Sequence, residues 1–421
     1  MIRIGCGQGF WGDSSEAPVR LVEDGPLDYL ALDYLAEVTM SILQKQKKEN
    51  PAFGYARDFP ALMERIQSCG VKVIANAGGV NPLGCAEEIR RRCPQLKVAV
   101  VLGDDILDRV DEFPLLNIDT GEALSNVREH VLSANAYIGA FPLAEALKTG
   151  ADVVVTGRCA DAALVLAPMI FEFGWGETDW DLLAAGITAG HIVECGAQCT
   201  GGNCLADWKT IPDLARIGYP IVEAEADGTF VITKHIGSGG RVSLGSVKEQ
   251  LVYEVGDPRA YYTPDVIADF TSVTLVEDGA DRVKVTGAHG LPRPEMLKAS
   301  ISYHWGWKAA GTLVYGPPMA AEKARRGAAI VNERCELLGL KFDRTVTEVF
   351  GEEWAMLRMA VRASERGPVE RWTREMIPLV LNGPPGATGY GDGRPKAHQV
   401  VAYWPALLPR TAVATRLEVL G

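Results

Sequence analysis

The sequence predicts an α/β protein, with a mostly parallel sheet and flanking helices in the N-terminal half, followed by an α+β half with β-hairpins. In the first half, short apolar or β-branched runs alternate with helix-compatible segments. From about Tyr219 onwards, strand-like runs flank glycine-containing turn signals instead. We therefore place a domain boundary near residue 210. It separates an α/β domain at 1–210, with strand-end glycine loops, from an α+β domain at 211–421, with hairpins, helices and a Gly/Pro-rich loop.

The elements of the first half follow from hydrophobic periodicity. Apolar residues recur at three- and four-residue steps from Leu27 to Ile42, which predicts a long amphipathic helix. It should end near Lys47 and Lys48, cations that suit a helix C-terminus, before Pro51. Three apolar runs that each lead to a glycine predict parallel strands, at residues 71–75, 96–102 and 151–155.

The second half is predicted to begin with two hairpins, over residues 221–233 and 272–286, each turning at a glycine. Helical periodicity then returns at residues 317–338 and around 352–363. Residues 383–395 contain five glycines and three prolines, and we expect this Gly/Pro-rich loop to be ordered by packing or by a ligand.

Composition excludes several classes of protein. The 421 residues carry 42 Lys and Arg against 54 Asp and Glu, a formal net charge of -12 that repels nucleic acid and anionic lipid. The most apolar run, residues 162–171, is too short to span a bilayer, and the N-terminus has no apolar signal core. Nine cysteines without an export signal indicate reduced thiols. We expect a cytoplasmic protein with no nucleic-acid partner and no membrane segment.

The segment Gly7 to Gly12 matches the G-x-G-x-x-G pattern of dinucleotide-binding loops. Such a site needs a helix directly after the loop and an acidic residue about 20 positions further on. Here residues 13–16 are turn-like. We therefore favour a turn after the first strand, which could still line a pocket, over a nicotinamide or flavin site.

Polar residues follow the three predicted parallel strands: Asn76 with Gly78 and Gly79, then Asp104, then Arg158 with Asp161. The carboxyl ends of parallel strands converge on one edge of a sheet, where open α/β proteins bind ligands. Arg158 suits a bidentate contact to a carboxylate or phosphate. The plainer alternatives are a surface ion pair for Arg158, a helix cap for Asp104 and a helix-dipole contact for Asp161.

The stretch from Ala189 to Cys204 concentrates reactive side chains. On a helix, His191 and Cys195 would share one face, close enough for the imidazole to activate a thiolate or for both to bind a metal. Cys195, Cys199 and Cys204 lack the spacing of common zinc or iron–sulfur sites, although a metal is not excluded. Buried, unreactive cysteines beside a helix end are the alternative.

Residues 233–241 form a second glycine loop that carries three cationizable side chains, Lys234 among them. Backbone at Gly237, Gly239 and Gly240 could cradle a phosphate, a carboxylate or a thioester oxygen. The alternative is an ordinary hairpin turn with solvated cations.

Taken together, motifs that span nearly the whole chain resemble the acyclic terpene utilisation (AtuA-like) family. They are Asp33–Met40, Asn76–Gly79, Gly150–Arg158 with Asp161, Gly190–Gln198, Thr200–Gly202, Lys234 with Gly237–Gly240, Tyr262–Val266 and Gly383–Gly386. The resemblance implies a place in the degradation of branched terpenoid acids as coenzyme A thioesters. Longer members resemble this chain with an extra small ferredoxin-like C-terminal domain. Because this chain stops at Gly421, we expect a separate small ferredoxin-like subunit and a homo- or hetero-oligomer.

We favour an enzyme of small or branched carboxylic acids or their coenzyme A thioesters, of the hydratase or related lyase type. Water addition next to a carbonyl needs an acid and a base across the carbon–carbon bond and donors for the enolate oxygen. The proton-transfer candidates are Asp161, His191 and Glu194, with Cys195 as a nucleophile or acid. The anion contacts would be Arg158 and Lys234, and the oxyanion donors would be the backbones of Gly201, Gly202, Gly239 and Gly240. The other substrate-binding candidates are Asn76, Gly78, Gly79, Asp104, Gln198, Thr200 and Gly237.

Two alternatives stay open. One is a non-catalytic acyl-binding or assembly subunit of a catabolic enzyme complex, and the other is metal-dependent catalysis; no cofactor is identified by the sequence. The favoured hypothesis requires the segments around residues 76, 158, 195 and 238 to line a single anion-accepting cleft.

Overall fold

The structure is a computed structural model that describes residues 1–205, 208–389 and 393–421. Its strands, numbered β1 to β19 in chain order, are Ile2–Gln8, Tyr29–Leu32, Lys72–Ala75, Val98–Leu102, Val131–Ala136, Val153–Thr156, Ile221–Ala224, Phe230–Thr233, Tyr261–Tyr262, Ile267–Asp269, Thr274–Glu277, Val283–Thr286, His289–Leu291, Met296–Tyr315, Arg344–Phe350, Ala355–Ala363, Ala387–Gly389, His398–Pro409 and Arg416–Leu420. The helices, numbered α1 to α11, are Ala17–Glu23, Glu37–Glu49, Phe59–Ile66, Pro82–Arg92, Phe141–Lys148, Ala163–Phe173, Trp180–Val193, Leu244–Val252, Ala320–Leu337, Arg366–Trp372 and Leu379–Asn382.

The chain folds into two compact units, one comprising Met1–Ser302 with Tyr403–Gly421 and the other Tyr303–Ala402. This division does not fall at residue 210. The sheet of the first unit continues past that residue, because β7 pairs with β1 and β8 pairs with β7. The domain boundary near residue 210 stays a prediction, and the two compact units divide the chain at other positions.

A ten-stranded sheet forms the centre of the first unit, in the order β11-β12-β8-β7-β1-β2-β3-β6-β4-β19. The five strands β1, β2, β3, β6 and β4 run parallel. Antiparallel strands extend both edges, with β7 beside β1 and β19 beside β4. The predicted α/β class is confirmed, and so are the three predicted parallel strands, which correspond to β3, β4 and β6.

Helices cover both faces of this sheet because its central strands are apolar on both sides. In β6, Val153 and Val155 pack in one hydrophobic core, which includes residues of α1, α2, α3 and α4. Val154 points the other way, into a core with α5, α6 and α7. This alternation is that of a strand buried on both faces, as expected in a parallel sheet.

The prediction of one helix from Leu27 onwards is wrong for the residues before Glu37. Residues 29–32 form the buried strand β2, which lies between β1 and β3, and α2 starts only at Glu37. All four side chains of β2 are buried, so their apolar spacing reflects a central strand rather than one helix face. The predicted end is confirmed, since α2 stops at Glu49, directly after Lys47 and Lys48.

Both predicted hairpins are present, as β7 with β8 and β11 with β12. The predicted helix at 317–338 is α9, but the one around 352–363 is wrong, because residues 355–363 form β16. Alternate side chains of β16 are buried, from Ala355 to Ala363, which is a period of two. In the second unit β15, β16, β14 and β17 form a sheet, and α9 and α10 pack on β16.

The predicted Gly/Pro-rich loop at 383–395 contains the short strand β17 at Ala387–Gly389. Its residues Tyr390, Gly391 and Asp392 lie outside the described residues. None of the helices in the described parts of the chain is long and apolar enough to cross a bilayer.

Candidate functional site

A cavity of about 660 Å³ opens in the first unit at the carboxyl end of β6. Its walls come from the turns after β5 and β6, from α7 and the residues that follow it, from the segment before β10, and from the start of β14. The polar residues in these walls are Glu37, Tyr137, Arg158, Asp161, His191, Glu194, Glu254 and Lys298.

Arg158 is the buried cation of this cavity, with 2% of its surface exposed. Its Nη1 donates to the carbonyl oxygen of Leu35 at 2.6 Å and to Asp161 Oδ1 at 2.7 Å. Its Nη2 donates to the hydroxyl of Tyr137 at 2.9 Å, and the guanidinium lies 4.3 Å from that ring. The Nε of Arg158 is buried and has no protein partner. Three of the five N–H groups of the guanidinium are bonded here, so the Nε–H group and one N–H of Nη2 are left for a ligand.

A turn after β6 fixes the position of this arginine. The backbone N–H of Arg158 donates to Asp104 Oδ2 at 2.7 Å, and Asn135 donates to the same oxygen at 2.8 Å. A Cβ at Gly157 would lie 2.4 Å from that carboxylate, so glycine is required here for close approach. Burial raises the pKa of Asp104 to about 7, although the hydrogen bonds from Arg158 and Asn135 oppose the shift. Asp104 thus supports the turn and does not line the cavity.

Asn76 lies beneath the cavity and holds the turn at Asp33–Leu35. Its Oδ1 accepts from the backbone N–H of Tyr34 at 2.7 Å, and its Nδ2 donates to Asp33 Oδ1 at 2.6 Å. The carbonyl of Leu35 in this turn is the one that Arg158 contacts. Burial, chiefly, raises the pKa of Asp33 well above its ordinary value. Asn76 therefore acts on the cavity through Leu35 and Arg158.

His191 and Glu194 form the second polar group of the cavity. His191 Nδ1 is 3.1 Å from Glu194 Oε1, and the imidazole ring stacks on Phe270 with centroids 5.3 Å apart. The remaining polar atoms of the pair, His191 Nε2 and Glu194 Oε2, are buried without a protein partner. Burial raises the pKa of Glu194 to about 7 against the opposing hydrogen bond from His191, so this carboxyl can exchange a proton near neutral pH.

The expected activation of Cys195 by His191 is not found. Helix α7 ends at Val193, so Cys195 lies beyond the helix and not one turn above His191 on the same face. The imidazole pairs with Glu194 instead. Burial raises the pKa of Cys195 to about 12, and nearby carboxylates add to the shift. The thiol form is therefore favoured, which argues against a nucleophilic thiolate.

The glycine backbones expected to act as oxyanion donors already donate within the fold. The N–H groups of Gly201 and Gly202 bond to the carbonyls of Gln198 and Ala197. Those of Gly239 and Gly240 bond to the carbonyls of Arg216 and Pro212. An oxyanion at any of these four glycines would have to compete with a backbone carbonyl for the N–H group, so we do not assign these glycines as oxyanion donors.

The remaining candidates on these segments are likewise engaged. The hydroxyl of Thr200 donates to the carbonyl of Gly218 at 2.6 Å, and Gln198 accepts from Gln250 at 3.1 Å. Gly78 and Gly79 form the turn between β3 and α4, where a Cβ on either would meet other atoms closer than 3.0 Å. These residues shape the fold around the cavity and do not line it.

Lys234 and Gly237 lie away from the cavity. Lys234 is buried, and its Nζ donates to the carbonyl of Ser238 at 2.9 Å and pairs with Asp281 at 3.2 Å. Gly237 lines a separate pocket of about 490 Å³ with α1 and residues 215–219. The segment around 238 thus does not share the cleft of Arg158, contrary to the expectation that one cleft contains both.

Sequence reasoning missed Glu37, Tyr137 and Lys298. The Tyr137 hydroxyl donates to Glu37 Oε1 at 2.7 Å, and Lys298 Nζ lies 4.9 Å from the Tyr137 ring. Burial acts to raise the pKa of Glu37, but Arg158 and the Tyr137 hydrogen bond outweigh it and hold that pKa below its ordinary value. Glu37 lies within the family-like stretch 33–40, which was the one available signal. Tyr137 and Lys298 carry no local motif.

The G-x-G-x-x-G segment begins in the last two residues of β1 and continues into a turn after that strand, as favoured. The N–H of Gly9 donates to Asp13 Oδ2 at 3.0 Å, and a Cβ at Gly9 would lie 2.9 Å from the backbone of Cys195. Nine free cysteines are present, so none forms a disulfide. Within the described ranges, no three His, Cys, Asp or Glu side chains are grouped so that they could hold a metal ion.

Comparison with known proteins adds a family assignment. Residues 2–419 match the family model described as acyclic terpene utilisation family protein AtuA. No curated protein matches the chain. Among solved structures, a homoserine dehydrogenase from Thiobacillus denitrificans is similar over 91% of this chain and 84% of that chain, at 10% identity and a TM-score of 0.18. At this TM-score the likeness carries no argument about fold or activity.

Proposed function

Because the chain belongs to the acyclic terpene utilisation family AtuA, we propose that it is a catabolic enzyme that adds water to, or removes it from, a small or branched carboxylic acid or its coenzyme A thioester. The observation that carries this proposal is the buried His191–Glu194 pair in the wall of the cavity. Each partner keeps one buried polar atom without a protein partner. Such atoms are costly in a folded protein unless a ligand or water satisfies them.

Water addition to an α,β-unsaturated acyl group fits this pair. Ionised Glu194 would accept a proton from the attacking water as its oxygen bonds to the β-carbon. Protonated Glu194 would then give that proton to the α-carbon, so one carboxyl serves as base and as acid. Its pKa near 7 suits both steps at neutral pH. His191 would hold Glu194 in place through the 3.1 Å contact.

The acyl oxygen would bind at Arg158, whose Nη2 is held by the hydroxyl of Tyr137 at 2.9 Å. Negative charge develops on that oxygen during addition, and a preorganised donor in a water-poor site stabilises it. The free Nε of Arg158 is such a donor. Asp161, bonded to Nη1 at 2.7 Å, would orient the guanidinium and not transfer a proton itself.

A non-catalytic acyl-binding or assembly subunit is the second candidate. It is favoured by the exposed apolar side chains among the cavity-lining residues, namely Ile118, Tyr262, Met296 and Leu407. Those residues could hold an acyl chain without any chemistry at Glu194.

Mass spectrometry separates the two candidates. The chain is incubated with branched unsaturated acids and with their thioesters, with and without a candidate small ferredoxin-like subunit, and products are examined for the gain of one water. We expect hydration by the wild type, loss of about two to four orders of magnitude in turnover for Glu194→Gln, and unchanged turnover for Glu145→Gln, an exposed glutamate of α5. Binding without any product under every condition would favour the second candidate.

A further inference from the structure

The cavity of Arg158 and Glu194 has two chemically different zones. Its deep zone is polar and buried, since Arg158, His191 and Tyr137 are each less than a tenth exposed. Its outer zone consists of cavity-lining residues with large exposed side chains: Ile118, Tyr262, Met296 and Leu407. A ligand that satisfies both zones has a polar end that goes in first and an apolar body that lies at the opening.

The charged groups at the opening are mainly acidic. Glu254 and Glu295 line the cavity and are exposed. Among the described residues of the cavity wall, Lys298 is the exposed cation, and its Nζ is 3.7 Å from Glu37. An acidic and apolar opening repels every anion, and it repels the several phosphate charges of coenzyme A more strongly than the single charge of a carboxylate.

The burial of Arg158 also disfavours a coenzyme A thioester as the ligand. In a thioester, the carbonyl carries the large coenzyme A group, so the carbonyl can reach Arg158 only if the coenzyme follows it inwards. The deep zone is enclosed by buried side chains, and the whole cavity measures about 660 Å³. A free carboxylate has no such attachment and can approach the guanidinium of Arg158, which lines the cavity and whose buried Nε has no protein partner.

Resting on the proposed function, we infer that this cavity takes the unesterified branched acid, carboxylate first, with its hydrocarbon chain along Ile118, Met296 and Leu407. The carboxylate meets the guanidinium of Arg158, and the unsaturated carbons lie beside Glu194. Addition then balances as before: water supplies hydroxyl to the β-carbon and, through Glu194, a proton to the α-carbon. The carboxylate oxygens carry the electron pair meanwhile.

Three forms of one substrate test the inference. They are a β-methyl unsaturated fatty acid, its coenzyme A thioester and its neutral N-acetylcysteamine thioester. We expect hydration of the free acid and at least about a hundredfold lower kcat/KM for the coenzyme A thioester. Turnover of the coenzyme A thioester at a rate equal to or above that of the acid would overturn the inference. If Glu194→Gln abolished that turnover, the proposed function would still stand.

Binding provides a readout that does not depend on turnover. Calorimetry with saturated branched acids of short and long chain is compared for the wild type, for Leu407→Ser and for the control Leu417→Ser, which changes a half-exposed leucine of β19 outside the cavity. We expect Leu407→Ser to weaken the long acid about tenfold and to leave the short acid unchanged. Equal weakening of both acids, or no binding of either, would overturn the carboxylate-first orientation. Binding with this pattern but no hydration of any form would instead overturn the proposed function alone.

Discussion

Arg158 and Lys234 are both buried cations beside glycine turns, yet they belong to different kinds of site. Lys234 is fully engaged with Ser238 and Asp281, and the nearby glycine N–H groups bond to carbonyls of the fold. Arg158 retains a free Nε, and the pair His191–Glu194 of the same cavity retains two unpaired buried atoms. Unsatisfied buried polar atoms in a cavity therefore indicate a ligand site, whereas a glycine turn with a positive charge does not by itself indicate one.

The largest expected effect separates these two cations. Arg158→Met should lower kcat/KM at least about a hundredfold. It should also lower the free energy of unfolding by about 3 kcal/mol, because Asp161, the Leu35 carbonyl and the Tyr137 hydroxyl lose their hydrogen-bond donor. Lys234→Met should also destabilise the folded protein, because Asp281 loses its ion-pair partner. The kcat/KM of the folded fraction should be unchanged. Denaturant unfolding and steady-state kinetics on both variants measure this. A Lys234 variant that folds normally and loses activity would reverse the comparison.

The pH dependence tests which group acts as the base. Since burial raises the pKa of Glu194 to about 7, the carboxyl is largely protonated below that pH, and kcat/KM for hydration should rise as the pH increases through about 7. The hydrogen bond from His191 lowers this pKa. His191→Phe should therefore move the rise to higher pH, beyond any loss in rate. If His191→Phe did not move the rise of kcat/KM with pH, the hydrogen bond from His191 to Glu194 would not set the pKa of the base.

A third prediction concerns the support under Arg158. Burial raises the pKa of Asp104 from its ordinary value of about 4 to about 7, so its protonated form is favoured by folding. Its ionisation therefore lowers the free energy of unfolding as the pH rises from about 4 to about 7. In Asp104→Asn this part of the decline should be absent. Urea unfolding across that range, compared with the exposed control Asp111→Asn, checks it. Identical slopes for all three proteins would contradict the assignment.

The smallest effects are expected at two glycines. Gly157→Ala places a Cβ 2.4 Å from the Asp104 carboxylate and should disturb both stability and kcat/KM. Gly237→Ala meets open space at a φ of +86° and should cost only about 1 kcal/mol of backbone strain, with unchanged kcat/KM. Thermal unfolding and kinetics on the pair sharpen the contrast between the two turns. Equal losses of activity would weaken it.

The sequence predicts strands and helices correctly where the hydrophobic pattern has one clear periodicity. The apolar runs of β3, β4 and β6 and both glycine-turn hairpins are read correctly, because burial on both faces or an alternating pattern leaves a clear local signal. It fails at β2 and β16. Four apolar residues in a row fit a helix face as well as a buried strand, and helix-forming residues such as Ala, Met, Leu and Arg fill β16.

The site is predictable only in part, for a physical reason. Arg158 follows from its placement at a strand end, and His191 and Glu194 follow from their residue types in the stretch 189–204. Their partners do not, since Tyr137 and Lys298 meet Glu37 and Arg158 through tertiary contacts between segments far apart in the chain. The composition of the loop at 237–240 resembles an anion cradle, but the N–H groups of Gly239 and Gly240 already donate to backbone carbonyls, which the sequence does not indicate.

The most direct test of the account is a crystal structure of the chain with a saturated branched acid bound. We predict the ligand in the cavity, with its carboxylate within hydrogen-bonding distance of Arg158 and its α- and β-carbons beside Glu194. A ligand bound instead in the pocket near Gly237, with the cavity of Arg158 free of it, would contradict the account.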